Sequence, residues 1–209
     1  MINSPNIDTN NLHDSLLYNS VDLSDTIISE NFENQDILNI NKEDIEFNTC
    51  IFSKCNFLNC NFLKSYFVDV IFKNCDLSNI SFEKSTFKRV EFKDCKLFGG
   101  NFSYSYFENV TFEKNNFKEG MLDESMFVKV LFNNNLLNYS TFTNCKQKLL
   151  EFLENDLSLC NFSNTSLSNI DLSSNIFSNI TVYPNDLKNC IMNETQALQF
   201  ITTLGIRLK

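Results

Sequence analysis

From Phe47 to Leu187 every fifth residue is Phe, Leu or Val, with Gln147 the one exception. Nineteen of the 22 Phe fall on this register between Phe47 and Phe177, and Phe32 lies on the same count upstream. A helix cannot produce the pattern. At about 100° per residue, five residues advance roughly 500°, so successive rings would spiral around the axis. A single long strand fails too, because a period of five alternates faces. The chain has to turn once per quintet.

The second inward position sets the geometry. Two residues before each Phe or Leu stands a small or β-branched residue such as Ser65, Val70, Cys75 or Ile80. Residues two apart share one side of a short strand, so each quintet sends two side chains inward and turns a corner with the rest. Read every twenty residues, these positions form four ladders. One runs Ser65, Ser85, Ser105, Ser125, Cys145, Thr165; another runs Val70, Val90, Val110, Val130, Leu150, Ile170. The third runs Cys55, Cys75, Cys95, Asn115, Asn135, Asn155, Asn175, and the last Cys60, Ile80, Gly100, Gly120, Ser140, Cys160, Ile180. Like stacks on like, as parallel strands in register require. Four sides of five residues close one coil, so the expected fold is all-β: a four-sided β-solenoid. About seven coils over 47–187, at ~4.8 Å each, give a rod about 34 Å long.

The quintet, written small–Asn/Asp–Phe/Leu–X–X and seen in CNFLNCNFLKSYF (55–67) and CDLSNISF (75–82), resembles the pentapeptide-repeat proteins. The resemblance spans about residues 45–192 and implies a right-handed quadrilateral β-helix. Three segments are expected: an acidic N-terminal cap or arm (1–44), the β-helix (45–192), and a C-terminal capping or dimerisation helix and tail (193–209). In the first, Leu12, Leu17, Ile27, Phe32 and Ile37 keep the count while Asp22 and Lys42 break it. In the last, Asn193 and Gln196 make a capping-box pattern, and Ala197, Phe200, Ile201 and Leu204 recur at helical spacing. Gly205 is a natural stop, with Ile206 and Leu208 beyond it. This short C-terminal α-helix either covers its own coil or forms a homodimer seam, and the LGI segment resembles the dimerising tail of the Qnr and MfpA types. Gln147 marks a bulge, a satisfied polar residue, or a kink or loop for a partner, and Gly99-Gly100 relieves crowding at a corner.

Charge narrows the partners. The net charge of −9 disfavours direct nucleic-acid binding, and most of it lies ahead of the coil: residues 1–45 hold nine carboxylates and one Lys. The opening MINSPNIDTNNLHDS lacks a basic start and an apolar run, and no stretch is long enough to span a membrane, so a cytoplasmic location with reduced cysteines is expected. All eight Cys occupy inward positions at multiples of five, the role of small core residues. His13 is the only His, and no phosphate-cradling glycine loop exists. No catalytic residue, metal or cofactor is expected, and the chain reads as a non-enzyme. What remains is the outer surface. The wall behind the Val ladder carries Glu91, Asp94, Glu113, Glu151, Glu154 and Asp171 against Lys54, Lys73, Lys93 and Lys114; the wall behind the Ser ladder is more basic.

The resemblance extends to pentapeptide proteins of the Qnr, MfpA, McbG and AlbG type. It implies a duplex-DNA mimic that binds DNA gyrase or topoisomerase IV and protects it from quinolones or toxins. The six carboxylates would be its partner-binding face. No insertion interrupts 47–142, unlike the looped Qnr type, and residues 46–186 hold sixteen carboxylates against thirteen basic groups, a weak excess beside duplex DNA. The alternative is a structural or scaffolding module with another protein partner.

Overall fold

A computed structural model describes residues 1–201, and they form a parallel β-solenoid of about seven coils. Tyr66–Lys73, Thr86–Lys93, Tyr106–Glu113, Met126–Asn133 and Lys146–Leu153 pair in sequence order, so that Phe67, Phe87, Phe107 and Phe127 stand in register. Each of these eight-residue strands covers two adjacent walls. From the second full coil on, the other two walls are held by single bridges such as Asp76 to Lys96 and by hydrogen-bonded turns such as Ile80 N–H to Leu77 O, at 3.4 Å.

One backbone device turns every corner. From Ser29 to Asn169 each fifth residue has φ between 51° and 63°, whether it is Asn, Lys, Glu, Tyr or Leu. Left-handed backbone is uncommon for residues other than Gly. Here many such amides are fixed by a carbonyl of the next coil, as in Lys54 N–H to Lys73 O (2.9 Å) and Asp94 N–H to Glu113 O (3.0 Å). Lateral bonding therefore stabilises a conformation that local sterics disfavour. Gly99 takes the same corner at φ 63°, where a Cβ would lie 2.4 Å from Asn79 Oδ1.

The axis is filled by ring columns. Phe52, Phe72, Phe92, Phe112 and Phe132 stack with centroids 4.6–4.9 Å apart, and Phe47, Phe67, Phe87, Phe107 and Phe127 at 5.0–5.3 Å. The first column keeps the ~4.7–4.9 Å strand separation that parallel pairing imposes, and the second is slightly wider. Gly120 makes room for a ring: its absent Cβ would sit 2.3 Å from the Phe117 side chain. Gln147 faces Phe127 in unbroken register, so the bulge, the kink and the loop are not formed. Its side chain is half-exposed and donates to Ser166 O at 3.3 Å, where the wall below has no paired strand.

Both ends are closed. Strand pairing begins at His13–Asp14 against Glu30–Asn31, and twenty-residue pairing at Thr26–Ile28 against Glu46–Asn48, one coil ahead of the boundary at 45, because Ile27, Phe32, Ile37 and Ile40 bury enough surface to extend the core. Helix α1 (Leu17–Leu23) lays Leu17 and Val21 on that first coil, and Gln35 clamps it by accepting Leu17 N–H and donating to Ser15 O. At the other end helix α2 (Glu194–Ile201) carries the capping box reciprocally: Gln196 N–H to Asn193 Oδ1 at 3.0 Å and Asn193 N–H to Gln196 Oε1 at 2.9 Å. Gln196 Nε2 also donates to Leu172 O and Asn175 O, so one buried side chain satisfies the open edge of the coil. Gln196→Ala should therefore cost about 1–3 kcal/mol. The loss should appear in hydrogen exchange as faster opening of the last coil alone; unchanged exchange at residues 172–177 would count against the cap. No helix among the described residues is long and apolar enough to cross a membrane.

Candidate partner-binding walls

The six carboxylates do share one wall, but lateral register separates them. Glu91 stands between Ile71 and Thr111, and Glu151 follows Leu131. The result is one acidic cluster at Glu91 and Asp94 and another at Glu151, Glu154 and Asp171. The two lie three coils apart, about 14 Å at ~4.8 Å per coil. Glu113 lies between them, paired to Lys93 at 3.0 Å and Lys114 at 3.8 Å. The Glu113 hydrogen bond and charge raise the Lys93 pKa. Asp171 takes bonds from Ser173, which lower its pKa.

Pairing from rung to rung recurs elsewhere: Lys54 to Glu33 (3.2 Å), Lys64 to Glu43 (3.1 Å) and Lys96 to Asp76 (3.1 Å). Basic residues thus neutralise acids on the neighbouring coil. At the N-terminal pole Asp14, Glu30 and the Lys54-paired Glu33 line an open cleft of about 990 Å³ beside α1.

A second feature lies at the corner of the Ser-ladder wall. Arg89 forks onto Asp69 through Nε at 2.7 Å and Nη2 at 2.6 Å. Asp69 Oδ1 also accepts Asn6 N–H at 2.8 Å, and one coil beyond Arg89 the Asn109 Oδ1 accepts Asn3 N–H at 3.2 Å. Burial raises the Asp69 pKa, but the bonds from Arg89 and Asn6 and the Arg89 charge more than offset it, leaving the carboxyl below its usual range. Sequence patterning marked this wall as the more basic one and allowed an N-terminal arm, but gave no sign of where an arm would dock. Its contacts are made by backbone amides, which carry no side-chain signature.

At the C-terminal end the predicted set divides. Phe200 packs on Phe177 with centroids 6.2 Å apart, Ile201 is half-buried, and Ala197 is exposed. Leu204, Ile206 and Leu208 lie outside the described residues.

The family described as the pentapeptide repeat region matches residues 45–119 and, overlapping them, 85–159. The chain belongs to the pentapeptide repeat family. Among solved structures it is similar to full-length QnrB1, a plasmid-mediated fluoroquinolone resistance protein, at 20% identity over 87% of this chain and 97% of that one, with a TM-score of 0.51. It is also similar to a pentapeptide repeat protein of the Arabidopsis thaliana thylakoid lumen (19% identity, 46% and 65% covered, TM-score 0.38). HetL from Nostoc sp. strain PCC 7120, involved in heterocyst differentiation regulation, is similar at 9% identity, with 84% and 92% covered and a TM-score of 0.35. At 20% identity the likeness to QnrB1 is one of fold. No curated protein matches the chain.

Pentapeptide repeat geometry also fixes the state of the thiols. Seven cysteines are buried and Cys190 is half-buried. The inward thiols donate to backbone carbonyls of the preceding coil, as in Cys75 to Phe52 O and Cys95 to Phe72 O, both at 3.4 Å. Burial pushes Cys50 up to about 11 and Cys145 and Cys160 up to about 12. Cys190 is raised to about 11 as well, so access rather than thiolate content sets the order, and Ellman's reagent at pH 8 should modify the half-buried Cys190 first and the other seven only as the chain unfolds. Several fast thiols in the folded protein would contradict this packing. Among the described residues no group of three or more His, Cys, Asp or Glu is placed to hold a metal ion.

Proposed function

We propose that the chain is a non-enzymatic docking rod that works by presenting its walls to a protein partner. The observation that carries this reading is the filled axis. Stacked rings occupy the interior, so recognition falls to outer side chains held at the fixed spacing of the coils. The finer proposal is a cytoplasmic homodimer, joined through the C-terminal segment, that enters the DNA channel of DNA gyrase or topoisomerase IV as a stand-in for duplex DNA. In that role it would protect the enzyme from quinolones or toxins. The net charge of −9 supports it, as does the fold likeness to QnrB1, whose own description is fluoroquinolone resistance.

A second reading, a scaffold for a different protein, is favoured by the charge pairing on the walls. B-DNA carries one charge per ~1.7 Å of axis, whereas here two acidic clusters flank a neutralised centre. A gyrase supercoiling assay at rising salt, with and without a quinolone, separates the two. The mimic reading expects salt-sensitive inhibition or rescue that weakens in a Glu151→Gln/Glu154→Gln/Asp171→Asn variant. Neither inhibition nor rescue would remove the topoisomerase partner, and recovery of a different protein by the intact rod would then favour the scaffold.

A further inference from the structure

Residues 1–8 run along the rod instead of projecting from it. Asn6 and Asn3 reach Asp69 and Asn109, two acceptors on one corner ladder with Arg89 on the coil between. Both acceptors are only 7% exposed although they occupy corner positions. Two coils rise ~9.6 Å. A polyproline II segment repeats every three residues, at ~3.1 Å each, and so returns an N–H to the same side every ~9.3 Å. The two donors are three residues apart, with Pro5 between them and Ser4 held extended by the proline that follows. A β-strand, whose amides face one side every two residues at ~6.6–6.8 Å, would miss the second acceptor.

The arm is attached by its backbone. Neither bond uses an arm side chain, and none of residues 1–8 enters the core. Ile2, Pro5 and Ile7 rest half-buried, and no charged side chain lies between Ile2 and Ile7. We propose that the Asp69–Arg89–Asn109 corner is a binding track for an uncharged, proline-containing polyproline II peptide, and that residues 2–7 occupy it as a detachable strap. The Arg89 fork holds Asp69 Oδ1 in place, Asn109 supplies the second acceptor, and the coil rise sets the ligand's repeat. A partner segment of the same backbone shape would have to displace the strap first.

The track is testable without a partner protein, so its failure leaves the docking reading untouched. In the full-length chain, Asn3→Pro with Asn6→Pro removes both donors while leaving every core residue in place. A fluorescent peptide of residues 1–9 should bind this variant saturably. It should bind wild type at least about tenfold more weakly, because the resident strap competes at the high effective concentration of a short tether. The same peptide carrying both prolines should not bind. In wild type the Asn3 and Asn6 amides should exchange slowly, and Asp69→Ala with Asn109→Ala should release them. No saturable binding to the proline variant, equal binding to wild type, or unprotected Asn3 and Asn6 amides in wild type would each overturn the proposal. Should the proline variant fail to fold, the exchange comparison alone decides.

Discussion

Phe112→Ala is expected to destabilise the rod by about 3–5 kcal/mol, the range for a buried aromatic replaced by Ala. Phe112 is fully buried and stacks at 4.8 Å on Phe92 and 4.6 Å on Phe132, with both interplanar angles 2°. Phe102 meets it edge-on at 6.2 Å. The lost ring leaves a void that the neighbours cannot close, because strand register on both sides holds the coils at their spacing. Aromatic pairs add ~0.5–1.5 kcal/mol beyond buried area, which places this site in the upper part of the range. Phe98→Ala supplies the control: the same atoms are removed from a residue one position off the register and 37% exposed. Its effect should be smaller, about 1–2 kcal/mol, since over a third of the residue stays in water and no ring column is broken. Urea titration of both variants is the measurement. A Phe112 loss below about 1 kcal/mol, or equal losses at the two sites, would mean that the ring columns are not the main source of stability.

That contrast shows why so much of the fold was legible. A solenoid repeats one packing problem, so each Phe reports its own coil and the error does not accumulate along the chain. The capping box was legible for a similar reason: Asn193 and Gln196 act through side chains at a fixed offset. The start of the coil was harder, because Lys42 occupies an inward position yet its strand still pairs with Asn61–Leu63 through backbone bonds that outlast the missing apolar side chain. The acidic wall was legible as a set of positions but not as a pattern. Whether Glu113 is a free charge depends on which lysines stand one rung away and next to it, and rung neighbours are twenty residues apart in sequence. The strap on the Asp69 corner left no trace, since any residue except Pro carries the amide it uses.

The second large effect lies where Cys gives way to Asn inside one ladder. Asn115, Asn135, Asn155 and Asn175 are buried, and each links two coils. Asn135 Oδ1 accepts Asn115 N–H at 2.8 Å and Asn115 Nδ2 at 3.0 Å, while Asn135 Nδ2 donates to Phe112 O at 2.9 Å and Asn155 Oδ1 at 3.0 Å. Asn135→Ala strips the buried Asn115 amide and the buried Phe112 carbonyl of these partners at once. At ~1–3 kcal/mol for each orphaned group, the expected loss is about 2–6 kcal/mol. Asn155 Oδ1 still accepts Asn135 N–H, and Asn115 Nδ2 still reaches Phe92 O, so neither adds to the loss. Asn135→Cys should cost about half as much, roughly 1–3 kcal/mol. Its thiol can donate to Phe112 O as Cys95 does to Phe72 O, leaving only the Asn115 amide unmet. The order Ala worse than Cys reports the thiol's hydrogen bond together with the volume that the sulfur fills. The ladder runs on through Asn175, whose own carbonyl is held by Gln196, so the capping helix anchors its last rung. A cycle pairing Asn135→Ala with Gln196→Ala should then be less than additive, because each single loss already removes the polarisation that the amides lend one another along the rod. Additive losses, with Ala and Cys equal at 135, would reduce the ladder to four independent core residues.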